Sequence, residues 1–358
     1  MMNRFRRTVV LLVSTLLAMS LLAGCGATKE GDVTSPDPTE DFQEAGPEET
    51  AAHPKVTLAS VSNSWTVTAV PLVAIEKGFF REEGLTDLEF KIVGPATTHI
   101  GAFVGGSIDF SINLSTDTLM RANASGGDVY AIAGSTNGNS YVLYGGPGIQ
   151  KLTDLKGKLT ATDAPGGTGE LLTADILRAA GLVPGVDVQY VPVAGTISER
   201  VQAMLTGTTQ AALGTISDWP MLQDQGVSIL GRASDIYPDY QFAVLAASGK
   251  MLDQHPDTVK AFLKGMIRAW RFLDDPANDA EAARILKKHE IPFDEAKWSQ
   301  LIAIQREFWP APDGTVNEKG VEVILKREQE VGRVPADYTI EQLLRLEPLK
   351  AAQQEMAS

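Results

Sequence analysis

From residue 55 onward, short apolar runs with period-two alternation take turns with stretches whose apolar side chains recur every three or four positions; these two periods predict strands and helices. Residues 55–60 form the first predicted strand. Pro71 then opens a helical pattern in which Leu72, Ile75 and Phe79 share a face, with Gly78 closing it. Further strands are predicted over 88–93, 108–113 and 129–133, with helices over 97–106 and 116–124 between them. Strand and helix in alternation require crossover connections, which makes the class α/β with mostly parallel sheets.

The pattern breaks at an apolar stretch over 141–144 and restarts with a strand over 159–162. A helix follows, with Leu172, Ile176, Ala179 and Ala180 on one face and Gly181 at its end. Strands over 188–191, 211–213 and 228–230, helices over 198–206 and around Pro220, and an apolar strand over 240–246 complete a second α/β unit. Beyond it the chain turns helical: Val259, Phe262, Leu263, Met266, Trp270 and Leu273 form one stripe, and Trp298, Leu301 and Ile302 begin another. Aromatic stripes at helical spacing read as core.

The N-terminal segment follows other rules. Arg4, Arg6 and Arg7 precede an apolar run over 8–23, shorter than the roughly 20 residues that span a bilayer as a helix, so it reads as a secretory leader. Its end, Leu22-Ala23-Gly24-Cys25, resembles the bacterial lipoprotein box, in which the cysteine is lipidated and becomes the new N-terminus; the bland alternative is an ordinary leader with an incidental cysteine. Residues 26–54 carry eight acids, one lysine and Pro36, Pro38, Pro47 and Pro54, and too little apolar surface to offset ordering entropy; they read as a disordered acidic tether.

Charge and composition narrow the function. The chain of 358 residues is 44% hydrophobic and carries 31 basic against 45 acidic side chains, a net charge of −14. Loss of the leader's three arginines makes this −17, so a nucleic-acid backbone meets repulsion and no nucleic-acid partner is expected. Cys25 is the only cysteine and the four histidines are scattered, which leaves no metal-ligand spacing, no disulfide and no cofactor motif.

In parallel α/β sheets ligands gather beyond the carboxyl ends of the strands, at helix starts. The corresponding loops hold Asn63, Ser64, Trp65 and Thr66; Ser115, Thr116 and Asp117; Thr136; Gly167 and Thr168; Thr196; and Ser217 and Asp218. They are mostly hydroxyl and amide groups, suited to hydrogen-bonding a ligand without covalent chemistry, so no catalytic residue is assigned. Helix capping explains Asp117, Asp218, Thr168 and Thr196 equally well, and Gly166-Gly167 fits a tight turn but neither phosphate-binding fingerprint. Trp65 reads either as a ligand-stacking surface or as local packing, and His99 as a solvent-facing helix residue.

Several segments resemble one family. Ala74-Ile75-Glu76-Lys77-Gly78-Phe79-Phe80 with Glu83-Gly84-Leu85, then Gly105-Gly106-Ser107-Ile108-Asp109-Phe110, Leu152-Thr153-Asp154-Leu155-Lys156-Gly157-Lys158 and Glu199 to Gly207 are similar to substrate-binding proteins of the nitrate, sulfonate, taurine and thiamine-pyrimidine-precursor ABC importers. Gln210 departs from the acid that many members carry. The resemblance implies a two-lobe, type II periplasmic binding protein fold with two hinge crossings, at 141–144 and 240–246. Lobe I would comprise 55–144 and 242–358, and lobe II 145–241. It further implies a monomeric solute-binding component on the outer face of the membrane, served by an ABC permease with its cytoplasmic ATPase. The ligand would be a small molecule, nitrogenous or aromatic, with a sulfonate- or nitrate-like anion as the alternative. Competing readings are a lipid-anchored sensor or scaffold, and an enzyme like the thiamine-pyrimidine synthases, whose cysteine-rich motif has no counterpart after Cys25. Replacing Cys25 with Ser is expected to move the protein from the membrane to the soluble fraction of its host; equal partitioning of both forms would refute lipidation.

Overall fold

The computed structural model describes residues 53–357 except 95, 164, 194, 195 and 311. The leader, Cys25 and nearly all of the tether lie outside the described residues.

Among the described residues, ten strands form two five-stranded sheets. The first contains β1 (Val56–Ser60), β2 (Leu88–Ile92), β3 (Phe110–Ser115), β4 (Val129–Thr136) and β10 (Ala243–Ser248), in the order β2-β1-β3-β10-β4. The second contains β5 (Tyr141–Gly145), β6 (Lys158–Thr162), β7 (Val188–Pro192), β8 (Ala211–Thr215) and β9 (Ser228–Arg232), in the order β7-β6-β8-β5-β9. In each sheet one strand runs antiparallel to its two neighbours: β10 between β3 and β4, and β5 between β8 and β9. The remaining pairings are parallel. These two mixed sheets with their flanking helices make the two-lobed, type II periplasmic binding architecture.

The crossings sit differently from the sequence expectation. Tyr141–Gly145 is wholly a strand of the second sheet, because Val142, Leu143 and Tyr144 are buried on both of its faces. The chain passes between sheets just before it, through the polar residues Asn137, Gly138, Asn139 and Ser140, and returns through Tyr240, Gln241 and Phe242. The two passages hold each other: the Gly138 N–H donates to the Tyr240 carbonyl at 2.7 Å. Gln241 is fully buried, and both its side-chain N–H groups and both its oxygens are bonded. Its Nε2 donates to the carbonyls of Thr136 (3.0 Å) and Ala243 (2.7 Å), its Oε1 accepts the Asn317 N–H (2.8 Å), and its carbonyl accepts the Thr116 hydroxyl (2.6 Å).

Helices pack on both sheets: α1 (Trp65–Glu76), α2 (Ala96–Val104), α3 (Thr116–Ala124), α4 (Thr168–Ala179), α5 (Ile197–Leu205), α6 (Pro256–Asp274), α7 (Trp298–Arg306) and α8 (Glu318–Glu330). Helix α1 begins six residues before the expected start, with Pro71 inside it. Nine of its twelve residues are buried, so no polar face marks its first turns, and burial outweighs the missing Pro71 N–H. The α6 stripe is core as read; Phe262 stacks between Phe110 (4.1 Å) and Phe80 (5.4 Å). A Cβ on Gly265 would lie 2.4 Å from the Phe80 ring, which accounts for a glycine in mid-helix.

His99 is fully buried, not solvent-facing. Its Nδ1 lies 3.0 Å from the Val93 carbonyl and its Nε2 2.6 Å from the Ser111 hydroxyl. A carbonyl can only accept, so Nδ1 carries the proton and Nε2 accepts from Ser111 in the neutral ring. Burial holds the His99 pKa below its usual 6.5. The unfolded chain therefore takes up a proton near pH 6.5 that the folded chain takes up only at lower pH. Stability falls as the pH drops from about 6.5 toward the folded value. Urea unfolding between pH 8 and 5 should show this fall in the wild type and a flatter profile in His99→Gln; identical slopes would refute the assignment.

Candidate functional site

The loops at the carboxyl ends of β3 and β6 meet across the two lobes. Thr168, at the start of α4, donates its hydroxyl to Asp117 Oδ2 at 2.7 Å, where Asp117 opens α3. Asp117 is buried, and its other partners are the Thr118 N–H (2.9 Å) and the Arg121 guanidinium (3.1 Å) one turn along. Burial alone would raise its pKa, but Arg121, with the hydrogen bonds from Thr168, Ser115 and Thr118, brings it below the ordinary value. Arg121 also pairs with Glu328 at 2.9 Å, on α8, and Glu328 lies 3.9 Å from Arg333. Arg333 Nη2 donates to the Gly166 carbonyl in the second lobe. Asp117 is thus no free anion.

Most helix starts at this junction are satisfied by the chain's own acids. Asp163, directly after β6, accepts the N–H groups of Gly169 (2.9 Å) and Glu170 (2.8 Å) at the start of α4. A Cβ on Gly167 would stand 2.6 Å from that carboxylate, so the glycine is needed for the cap to close. Asp218 accepts from the Thr215 N–H (3.0 Å) and hydroxyl (2.8 Å), and burial pushes its carboxyl up against these bonds. Thr196 is exposed and forms a capping box with Glu199 at the start of α5.

The remaining candidates divide. Thr116 is buried on the Gln241 carbonyl, and Ser115 donates to Thr118 Oγ1 at 2.8 Å. Thr136 donates to Asn113 Oδ1 at 2.6 Å, and Ser217 to Gln305 Oε1 at 3.2 Å, a second contact between lobes. Asn63 is exposed, and the hydroxyls of Ser64 and Thr66 lie 2.9 Å apart. Trp65 is only 8% exposed, with its ring edge-on to Trp298 at 5.1 Å. Core packing accounts for its burial without a ligand.

Other residues at the junction lacked a sequence signal. Asn113, at φ 54°, takes the left-handed conformation where the pairing of β3 with β10 slips by one residue. Asparagine is among the few side chains that tolerate this. Tyr141, the first residue of β5 after one crossing, and Phe242, in the other crossing, meet edge-to-face at 5.3 Å. Burial raises the Tyr141 phenol above its ordinary value. Asn137 Oδ1 and Asn139 Nδ2, in the first crossing, are buried without a partner. Among the described residues no cluster of three His, Cys, Asp or Glu could hold a metal ion, and no helix is long and apolar enough to cross a membrane.

Residues 65–279 match the family model described as NMT1/THI5 like. The chain belongs to the NMT1/THI5-like family. The periplasmic nitrate-binding protein NrtA of Synechocystis PCC 6803 superposes with a TM-score of 0.65 at 19% identity, covering 84% of this chain and 89% of that one. The aliphatic sulphonate binding protein SsuA of Escherichia coli gives 0.63 at 17%, covering 82% and 92%. The desulfurization enzyme DSZB gives 0.61 at 13%, covering 84% and 100%. No curated protein sequence matches the chain significantly. At these identities the likenesses speak to fold, which is shared by binding proteins and an enzyme alike.

Truncating Trp65 to Ala should destabilise this NMT1/THI5-like chain by about 3–5 kcal/mol in ligand-free urea unfolding, the range for large buried aromatics. A stability within ~0.5 kcal/mol of wild type would mean that the ring is free for a ligand.

Proposed function

We propose that this protein is the extracytoplasmic solute-binding component of an ABC importer, which closes its two lobes on a small organic molecule and delivers it to a permease with a cytoplasmic ATPase. The observation that carries this reading is the convergence of polar helix starts from two α/β lobes beside a pair of short crossings. Such a cleft can enclose a ligand and release it by bending at two points. A monomer held at the outer face of the membrane by a lipid on Cys25 fits the leader and tether.

Binding without catalysis is supported by the placement of the chemistry-bearing groups. His99 and Ser111, 2.6 Å apart, are both 0% exposed, out of reach of any substrate. The ligand class follows from the caps. The α4 start gives N–H groups to Asp163, and the α5 start is closed by its Thr196–Glu199 box, so an inorganic anion would compete with carboxylates already in place. An uncharged or amine-bearing organic molecule fits better. Its ring would lie on Tyr141 and Phe242, and its polar edge would meet Asn137 and Asn139. Asn63, Ser64, Thr66, Ser115, Thr136, Gly167, Thr196 and Ser217 remain its candidate surroundings, with Trp65, Thr116 and Asp218 acting behind them as packing and caps.

Calorimetry on the full chain carrying Cys25→Ser tests both parts. A nitrogenous ring compound is expected to bind, and at 100 times its Kd to stabilise the fold by about 2.7 kcal/mol. Tight nitrate or alkanesulfonate binding would overturn the ligand class, and silence toward the entire panel would count against the transport reading.

A further inference from the structure

Three charged residues of the C-terminal segment grip one helix of the opposite lobe. Arg333 donates to the Gly166 carbonyl just before α4, and Arg327, on α8, pairs at 3.0 Å with Asp175, two turns into α4. Between these arginines in sequence, Glu328 is 3% exposed and organises the first contact from behind. One of its oxygens holds Arg121 at 2.9 Å and the other lies 3.9 Å from Arg333. Arg121 in turn orients Asp117, whose Oδ2 receives the Thr168 hydroxyl at 2.7 Å. The start of α4 is therefore held twice, by Arg333 on Gly166 and by Asp117 on Thr168, through donors and acceptors tied to a single buried carboxylate. Tyr237, beside the second crossing, adds a hydroxyl on Asp175 at 2.8 Å and lies under the Arg327 guanidinium at 5.4 Å.

The local backbone is shaped for this grip. Gly166 has φ +73°, a conformation other residues rarely adopt, and a Cβ there would stand 2.8 Å from Arg333 Nη2. Arg327, Glu328 and Arg333 all lie beyond residue 279, where the family match ends, so the family assignment does not imply the contact.

We propose that these residues form a clasp that draws the lobes together before any ligand arrives, so that the resting protein populates the closed state. The proposal rests on the two-lobe binding reading only for its purpose. Every bond in the clasp joins protein groups, and the bonds to charged partners are of the stronger kind. A ligand that binds the closed form then shifts an equilibrium already biased toward it, and its apparent affinity is reduced less by the unproductive open fraction. Loss of one clasp contact should lower the closed-to-open ratio about tenfold; because the resting protein starts mostly closed, the competent fraction, and with it the apparent affinity, falls by only about two- to threefold, without changing the order of preference among ligands.

The test needs no ligand. Spin labels at Ile92→Cys, at the end of β2, and Pro192→Cys, at the end of β7, in the full chain with Cys25→Ser, report the distance between lobes by pulsed electron resonance. The unmodified clasp should give a dominant population at the closed distance. Arg333→Ala and, separately, Thr168→Val should move most of it to a longer one. Thr168→Val replaces a hydroxyl with a methyl and leaves Arg121 on Asp117, so it stays informative if Arg333→Ala fails to fold. A wild-type chain found mostly open, or distance distributions unchanged in Thr168→Val, would overturn the clasp. Because no solute is added, a failed ligand search leaves this result readable.

Discussion

One buried amide ties the molecule together. Gln241 lies where the second crossing enters β10, and its side chain bonds the last carbonyl of β4, the first carbonyl of β10 and the N–H that precedes α8. A buried amide whose two N–H groups and oxygen are all bonded costs little, whereas one left open costs on the order of 1–3 kcal/mol for each unmet group, so the site demands this arrangement. With both crossings fixed to the first lobe at that point, the passages between the sheets are short: Asn137 to Ser140 on one and the stretch before Tyr240 on the other. A Cβ on Gly320 would stand 2.4 Å from the Gln241 nitrogen, so even the start of α8 is drawn against this spot.

The second organising constraint is electrostatic. Helix starts in α/β proteins are positive ends that seek a partner. This chain supplies acids to several of them: Asp163 to α4, Glu199 to α5 and Asp218 to the turn after β8. The acids come within a few residues of the helix they serve, so each cap forms with its own local segment. Asp117 differs because it reaches to the other lobe, and its charge is balanced by Arg121 on its own helix.

Local periodicity carried the fold, and its failures have local causes. Strands read as apolar runs appear near where expected, often with one to three more residues at the carboxyl end, since polar terminal residues such as Ser115 and Thr136 pair by backbone alone. Helix α1 was half hidden because a helix buried all round has no polar face to mark it. His99 was misread because a histidine with both nitrogens bonded to buried partners looks, in sequence, like any polar helix residue. In the site, Asp117 and Thr168 stood out as polar residues at helix starts. Their contact with each other, however, spans 51 residues of chain, and no spacing rule reaches that far. Arg333 and Glu328 lie beyond the apolar stripes, where no periodicity or motif marks them; tertiary placement alone brings them to the junction.

The topology also orders the birth of the two lobes. All five strands of the second sheet, β5 to β9, come from one continuous stretch between Tyr141 and Arg232, so this lobe has its complete sheet as soon as that stretch is available. The first sheet does not. Its β3 and β4 are separated by β10, which is more than 100 residues later in the chain, and until residues 243–248 arrive each presents a bare edge along its full length. Bare edges invite pairing with other chains. A chain made only that far therefore carries one finished sheet and one open seam, and the strand that seals the seam is the one anchored by Gln241.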